Sequence, residues 1–365
     1  MQFAMAIGMA SVALFLPGSF FFTSTLIAFW LIAFFSATHD IAADGYYMIS
    51  LSSHEQAAFV GVRSTFYRVA SIAGQGGLVM LAGYLESSTG NIPKAWAYVF
   101  WILSLFFLAV AVYHKFIIPV SKEDHIRENG RNRGFIMEFL KTFSTFFRKP
   151  HIALALAFML LYRFPEALCL KLVQPFLVTS LEGGGLGLST SEAGFINGTI
   201  GVIALLAGGI FGGVAISRQG LKKMLWPMAA SLSLPCIFYC FLAMCQPTDM
   251  FVISCAVFLE QFGYGFGFSA YMLYLIYFAR GESATSHYAF CTAFMAIGMM
   301  IPGMFSGWIF EWLAKYEFFN SEVNHGFINF FWAVVLSSSL TFLVCSLVKI
   351  NSEFGKKSAV SLANS

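Results

Sequence analysis

Six ionisable side chains lie inside stretches of the sequence that are otherwise apolar enough to span a bilayer. They are Asp40, Asp44, Arg163, Glu166, Lys171 and Glu260. A charge at the centre of a bilayer costs about 2.5–3.5 kcal/mol on insertion scales, so such residues are retained where they face a bundle interior or a watery cavity. Acids and bases gathered inside a membrane are typical of a pathway for a solute or for protons. The pattern therefore predicts a transporter.

The composition indicates a chain that crosses the membrane several times. Of its 365 residues, 58% are hydrophobic and 11% are charged, whereas soluble domains carry about 25% charged residues. The formal net charge is only +3, and the sequence has no long Lys/Arg tract with interleaved aromatic residues, which argues against a nucleic-acid partner. The sequence also has no nucleophile elbow and no His/Asp cluster at metal-ligand spacing. We therefore expect no enzyme activity, no cofactor and no metal site.

Ten apolar segments run along the chain, and most reach the roughly 20 residues that a bilayer-spanning helix needs. They cover residues 1–17, 24–49, 60–84, 95–119, 151–180, 190–216, 224–245, 250–279, 287–312 and 327–349. A polar stretch separates the first four segments from the last six. We therefore expect an all-α membrane protein, divided into an incomplete four-helix half-bundle over 1–120, a cytoplasmic linker over 121–150, a six-helix half-bundle over 151–350 and a cytoplasmic tail over 351–365.

The basic residues predict which side of the membrane each loop faces. Fourteen Lys and Arg residues fall in the linker, in the loops on the same side and in the tail, whereas Lys94 and Lys315 fall in the opposite loops. Cytoplasmic loops carry the excess of Lys and Arg, so we expect both termini in the cytoplasm. In the linker, Phe135–Phe147 has apolar residues at helical spacing, which predicts an amphipathic helix at the inner membrane surface.

A basic loop motif follows the sixth segment. It consists of Gly213, Arg218, Gly220, Lys222 and Lys223. It resembles the signature Gly-x-x-x-Asp-Arg-x-Gly-Arg-Arg of the major facilitator superfamily, which joins the second and third helices of each half; the alternative is an ordinary basic turn. Here the motif joins the second and third segments after the linker. The resemblance implies two pseudo-symmetric halves of a twelve-helix fold, of which this chain, with about ten helices, is expected to lack the first two.

Four further stretches are similar, in order, to AmpG-type muropeptide permeases within that superfamily. The stretch over 36–46, Ser-Ala-Thr-His-Asp-Ile-Ala-Ala-Asp-Gly-Tyr, resembles their Ser-Ala-x-Gln-Asp-Ile-x-x-Asp-Ala-Tyr/Trp. The stretch over 161–167, Leu-Tyr-Arg-Phe-Pro-Glu-Ala, resembles their Leu-Tyr-Lys-x-x-Asp-Ala. The stretches over 256–270 and 283–289 extend the match.

The resemblance implies proton-coupled import of muropeptides, the anhydromuramyl peptides of cell-wall recycling, across the bacterial inner membrane. In the superfamily the first and fourth helices of each half line a central cavity. In this chain those are the second, fifth and eighth segments, which carry all six charges named above. The alternatives are a related transporter for another anionic solute or a sugar, and a truncated membrane protein that transports nothing.

In the first half, Asp40 and Asp44 are four residues apart and share a helix face. Two carboxylates this close tend to share a proton, which suits proton coupling; the alternative is a buried acid held by a structural base such as Arg68. The resemblance also places Arg68 among the anion contacts. His39 is either a proton relay near neutral pH or a plain hydrogen-bonding group.

In the second half, Arg163 and Glu166 are three residues apart. They form either a local ion pair or a site at which Arg163 meets a carboxylate or phosphate of the ligand. Lys171 lies near the middle of its segment, which favours pairing with a ligand or an acid over snorkelling. Glu260, beside Gln261, is the expected proton or ligand acid of this half.

Overall fold

The computed structural model describes residues 1–118, 135–316 and 326–355. These residues form fifteen α-helices, and each of the ten predicted apolar segments is helical. The helices are α1 (Gln2–Phe15), α2 (Phe21–Ser50), α3 (Ser53–Ile72), α4 (Leu78–Thr89), α5 (Ile92–Ile117), α6 (Phe135–Phe147), α7 (Ile152–Leu161), α8 (Phe164–Val178), α9 (Thr190–Phe195), α10 (Val202–Gln219), α11 (Leu221–Ser233), α12 (Ile237–Cys245), α13 (Met250–Ala279), α14 (Ala284–Leu313) and α15 (Gly326–Leu347).

Eight helical segments of the described residues are long and apolar enough to cross a membrane, which confirms the expected all-α membrane fold. They are Phe21–Ser50, Ile92–Ile117, Ile152–Val178, Glu192–Gln219, Leu221–Cys245, Met250–Ala279, Ala284–Leu313 and Gly326–Leu347. The two other predicted segments are α1, which is apolar but only 14 residues long, and the continuous run of α3 and α4. The helix predicted over Phe135–Phe147 is also confirmed, because α6 has these bounds; its location at the inner membrane surface stays a prediction.

A break in the fifth predicted segment puts Arg163 at the start of a helix. The expected single helix over 151–180 is two helices, α7 and α8. Pro165 has no N–H to continue the hydrogen bonds of α7, and proline is favoured in the first turn of a new helix. Arg163 therefore has non-helical backbone angles, φ −104° and ψ 13°. In α15, Thr341 donates its hydroxyl to the carbonyl oxygen of Tyr162 at 3.0 Å, which satisfies one carbonyl at the end of α7.

The third predicted segment, over 60–84, also differs from expectation. Its helix begins earlier, at Ser53, and passes through a π-helical turn, Ala73–Gly77, before α4 begins. The turn has the sequence Ala-Gly-Gln-Gly-Gly, and glycine has little preference for the regular α-helix. The first turn of α3 contains the polar residues His54 and Glu55. For this reason the apolar pattern of the sequence did not show where the helix begins.

The described chain divides into two compact units, and the division falls between Thr65 and Phe66 inside α3. The first unit contains α1, α2, the end of α3, α4 and α5. Within it, α1 packs against α2 and α5. The hydroxyl of Ser104 in α5 donates to the carbonyl oxygen of Ala6 in α1 at 2.8 Å, which satisfies a buried polar group inside the helix pair.

The second unit contains the start of α3 and helices α6 to α15. Its helices α10 and α13 approach each other closely through glycines. A β-carbon at Gly265 would collide with the carbonyl oxygen of Leu205, and a β-carbon at Gly208 would collide with that of Phe262. Small residues allow helix backbones to come this close in a membrane. Because Glu260 lies one turn before these contacts on α13, the glycines fix the helix that carries it.

Gly265→Ala is expected to lower the free energy of unfolding by about 1–3 kcal/mol, because overpacking forces a backbone shift between α10 and α13. Gly307→Ala in α14 is the matched control, since a β-carbon there meets no atom within 4 Å. The two variants can be compared by denaturation of the purified protein in detergent micelles. Equal stability of the two would contradict the close contact.

Candidate functional site

The break before α8 brings Arg163 and Glu166 together as a buried ion pair. Arg163 Nε donates to Glu166 Oε2 at 2.7 Å, and Arg163 Nη2 donates to Oε1 at 3.1 Å. The two side chains are 8% and 3% exposed. A bidentate pair of this kind is among the stronger charge-assisted contacts. Of the two arrangements that the sequence left open, the structure therefore has the local ion pair.

Aromatic side chains of α13 surround the Arg163 guanidinium. Arg163 Nη2 donates to the hydroxyl of Tyr264 at 2.8 Å. The guanidinium carbon lies 4.6 Å from the ring centre of Phe268, 5.4 Å from that of Tyr264 and 5.8 Å from that of Tyr271. Positions 264, 268 and 271 recur at helical spacing and form one face of α13. Cation–π attraction strengthens when the cation is desolvated, so this face helps to hold a buried charge.

Glu260 lies one turn before Tyr264 on α13 and is 5% exposed. Its Oε2 accepts a hydrogen bond from the hydroxyl of Tyr239 at 3.1 Å and one from Nε2 of Gln261 at 2.8 Å. The expected acid is therefore buried and hydrogen-bonded, and Gln261 contacts it directly. We call the buried members of these two hydrogen-bonded groups, one around Arg163 and one around Glu260, the buried polar cluster. It consists of Arg163, Glu166, Tyr239, Glu260 and Tyr264.

Two further hydrogen bonds fix α7 and α13 beside the cluster. The hydroxyl of Tyr162 donates to the carbonyl oxygen of Gly267 at 3.1 Å, and the hydroxyl of Tyr271 donates to that of Met159 at 2.6 Å. All these groups are buried. Buried donors that find acceptors rigidify the surrounding structure, so these two bonds hold α7 against α13 next to the cluster.

Sequence reasoning missed three of the residues around the cluster. Tyr239, Phe268 and Tyr271 are aromatic residues in segments where aromatic residues are common, since 18% of the chain is Phe, Trp or Tyr. The helical spacing of Phe268 and Tyr271 after Tyr264 was the available signal. Nothing in the local sequence of Tyr239 links it to Glu260, because the contact joins α12 to α13.

Lys171 lies on α8, two turns beyond Arg163, and its side chain is exposed. Among the described residues it has neither a hydrogen bond nor an ion pair. The aliphatic part of its side chain lies near Gly303 of α14, where a β-carbon would come within 3.2 Å of Lys171 Cε. The structure therefore leaves the ammonium group of Lys171 available to a ligand, and the assignment of Lys171 as a ligand contact stays a prediction.

The acids of the first unit lie on α2. Asp40 is exposed, Asp44 is partly buried, and the two are one turn apart. His39 Nδ1 lies 3.9 Å from Asp40 Oδ1, a distance at which a protonated imidazole would attract the carboxylate. Arg68 lies on α3, and its side chain is outside the described part of the structure. The roles of these four residues in binding and proton coupling stay predictions.

The loop motif joins α10 to α11. Gly220 ends α10 with φ 85° and ψ 155°, a conformation that is essentially restricted to glycine. Arg218, Lys222 and Lys223 are exposed. Gly213 is buried, and a β-carbon there would lie 2.8 Å from the carbonyl oxygen of Ala58. The structure thus gives the two glycines the tight turn and the close helix contact that the motif requires.

A family model described as Major Facilitator Superfamily matches residues 2–303. The chain belongs to the major facilitator superfamily. Its fold is also similar to the crystal structure of the Escherichia coli fucose:proton symporter FucP, with a TM-score of 0.67, 14% sequence identity, and coverage of 96% of this chain and 83% of that one. A second FucP structure, in the outward conformation, gives a TM-score of 0.61 at 15% identity, covering 95% of this chain and 83% of the other. The fold that the sequence predicted is therefore confirmed.

Several curated relatives of this chain are named as AmpG proteins or as an anhydromuropeptide permease. The anhydromuropeptide permease of Escherichia coli K12 is 23% identical over 290 residues, which is 79% of this chain and 55% of that protein. A putative transporter AmpG 4 of Rickettsia conorii is 25% identical over 275 residues, 74% of this chain and 61% of the relative. A putative transporter AmpG 1 of Rickettsia prowazekii is 23% identical over 358 residues, 90% of this chain and 76% of the relative. The chain thus spans little more than half of the length of the Escherichia coli permease.

Proposed function

We propose that this protein is a secondary active transporter that imports muropeptides across the bacterial inner membrane together with protons. Its membership of a transporter family and its similarity to an anhydromuropeptide permease support the solute class. The excess of basic residues at one end of the helices supports an orientation with both termini in the cytoplasm. The multi-pass helices agree with a membrane location.

The observation that carries the proposal is the buried Arg163–Glu166 pair in the break between α7 and α8. A charged pair inside a membrane segment is expensive and is typical of a solute or ion pathway. Discontinuous helices are also where secondary transporters place their binding groups. The pair therefore lies where a site that changes during a transport cycle is expected.

Exchange of partners at Arg163 would couple a proton to a ligand. When Glu166 is ionised, it occupies both Nε and Nη2 of Arg163. When Glu166 is protonated, it no longer neutralises the guanidinium, and a carboxylate of the ligand can take its place. Release of the proton on the other side restores the ion pair and expels the ligand. The proton and the ligand would then move in the same direction.

Other groups suit the remaining chemistry of a muropeptide. The ring of Phe268, which is only partly buried, can offer a flat face to a sugar ring, and Lys171 can offer a second cation to a peptide carboxylate. Glu260 is a second acid in the same half, and Asp40 and Asp44 are the acids of the other half. We propose that these acids take part in proton coupling and that Arg68 contributes an anion contact.

A second candidate is a transporter of another anionic solute or of a neutral sugar. The observation that favours a neutral sugar is the occupied state of Arg163, because a cation already paired with Glu166 has less attraction for an anion. A neutral ligand would use the aromatic faces and hydroxyl groups instead. The same uptake experiment separates the two candidates.

Uptake by proteoliposomes tests both the solute and the coupling. We expect the purified, reconstituted protein to accumulate labelled anhydromuropeptide when the outside is made acidic, and to lose accumulation when an ionophore removes the pH gradient. Excess unlabelled muropeptide should compete, and a neutral monosaccharide should not. Accumulation that ignores the pH gradient would contradict proton coupling. Competition by the monosaccharide alone would favour the sugar transporter.

A further inference from the structure

A cavity of about 390 Å³ opens at the basic end of the second unit, away from the buried polar cluster. It lies where α7 begins and where α13 and α15 end. Four of its lining residues are Lys149, His151, Arg280 and Lys349. Of the described residues that line the cavity, none is acidic. The cavity therefore presents three positive charges, and a fourth if His151 is protonated, with no carboxylate in its wall.

The cations of this cavity are held in place by their own contacts. Lys149 Nζ donates to the carbonyl oxygens of Phe278 and Arg280 at 2.6 and 2.7 Å. Arg280 Nη2 donates to the hydroxyl of Ser53 at 3.0 Å, and its guanidinium carbon lies 4.4 Å from the ring centre of Phe354. These contacts leave one N–H of Lys149 and several of Arg280 to donate, since an ammonium has three donors and a guanidinium has five.

Part of the positive charge of this site is withdrawn from water, since Lys149 is half-buried, whereas Arg280 and Lys349 are exposed. Partial burial lowers the pKa of Lys149 and the pKa of Arg280 from their ordinary values. A cation in this situation is stabilised by an anion that can enter and pair with it. Lys349 is exposed and has no hydrogen bond or ion pair among the described residues. It can turn toward such an anion without breaking a contact.

The remaining wall of the cavity is apolar. Leu154 of α7 and Val348, just after α15, line it, together with the ring of Tyr277. Next to this wall Leu347 is exposed at the surface of a membrane-spanning helix. A ligand in the cavity would thus meet cations at one end and the side of the helices at the other. This combination suits an amphiphile better than a fully soluble anion.

We propose that this cavity binds the phosphate group of an anionic phospholipid, with the acyl chains lying along Leu154 and Val348. Basic pockets between membrane helices are suited to phospholipid head groups. The apolar wall decides between a lipid and free phosphate, since a free phosphate gains nothing from Leu154 and Val348. This lipid site is independent of the transported solute, because none of its residues belongs to the buried polar cluster.

Binding of a short-chain lipid to the purified protein tests the site. In neutral detergent, we expect short-chain phosphatidylglycerol to raise the melting temperature and to give a retained adduct in native mass spectrometry. Phosphatidylcholine of the same chain length should do neither. Lys349→Gln should weaken binding of phosphatidylglycerol about fivefold, as expected for the loss of one basic residue next to an anionic head group. The matched control is Lys222→Gln, an exposed lysine at the same end that does not line the cavity, and it should bind as the wild type does.

Three results would overturn the proposal. Equal binding by the Lys349→Gln and Lys222→Gln variants would show that only the overall charge of this end attracts the lipid. Equal binding of phosphatidylcholine, whose head group is neutral overall, would show that the site does not select an anionic lipid. Full displacement of phosphatidylglycerol by inorganic phosphate at the same concentration would show that the site takes soluble phosphate and not a lipid.

Discussion

Glu166→Gln is expected to lower the free energy of unfolding by about 3–5 kcal/mol, because it leaves a buried guanidinium without its counter-charge. Arg163 is 8% exposed, and both of its contacts to Glu166 are shorter than 3.2 Å. An amide offers the guanidinium one acceptor oxygen in place of two and carries no charge. The loss can be measured as reduced resistance to denaturation in detergent micelles. Glu311→Gln, which removes an exposed carboxylate from α14, is the control and should leave stability unchanged.

A double replacement separates stability from transport at the same pair. Removing both charges in Arg163→Met with Glu166→Leu takes away the unpaired ion, and apolar residues in place of a buried pair are often neutral or stabilising. We therefore expect the double variant to be more stable than Glu166→Gln alone, with strong non-additivity between the two positions. We also expect it to lose gradient-driven uptake. Wild-type uptake by the double variant would show that the pair serves the fold and not transport.

The membrane helices could be predicted because their signal is local. A run of about 20 apolar residues specifies a spanning helix without reference to any other part of the chain. The amphipathic spacing of α6 specifies its bounds equally well, and its observed range is the expected one. Pro165 is a local signal for the break at Arg163. A break at a proline, however, also needs a hydrogen-bond donor for the carbonyl oxygens that the proline leaves without an N–H partner. That donor, Thr341, is 179 residues away from Tyr162 in the chain.

The partners of the buried charges could not be predicted from local sequence. Arg163 contacts Tyr264 across a separation of 101 residues, and Glu260 contacts Tyr239 from a different helix. Neither aromatic residue differs in type from the many that are exposed on the helices. What the sequence does show is the cost of each charge in an apolar segment. Because of that cost, Arg163, Glu166 and Glu260 could be expected to have partners. The sequence did not show which residues those partners would be.

The other large effect is expected when an acid that we propose to carry protons is replaced by its amide. Asp44→Asn keeps the size of the side chain and removes its ability to exchange a proton. We expect this variant to insert normally in the membrane and to lose accumulation driven by a pH gradient. Exchange of preloaded solute should persist, because exchange does not require the proton to be released. The measurement compares gradient-driven uptake with exchange in the same proteoliposomes.

Glu260→Gln tests the corresponding acid of the second half. Gln at this position can still accept the hydrogen bonds of Tyr239 and Gln261 at its amide oxygen, so the contacts within the cluster are retained while the charge is lost. We expect uptake to fall and its dependence on pH to flatten, because the variant removes an acid that we propose to take part in proton coupling. Asp249→Asn is the control for both amide variants. Asp249 caps the first turn of α13 by accepting a hydrogen bond from the N–H of Phe251 at 2.8 Å. Asn caps a helix equally well, so this variant should keep the helix intact. If the Asp44 and Glu260 variants transport as this control does across the whole pH range, both acids hold the structure, and the protons travel by another route.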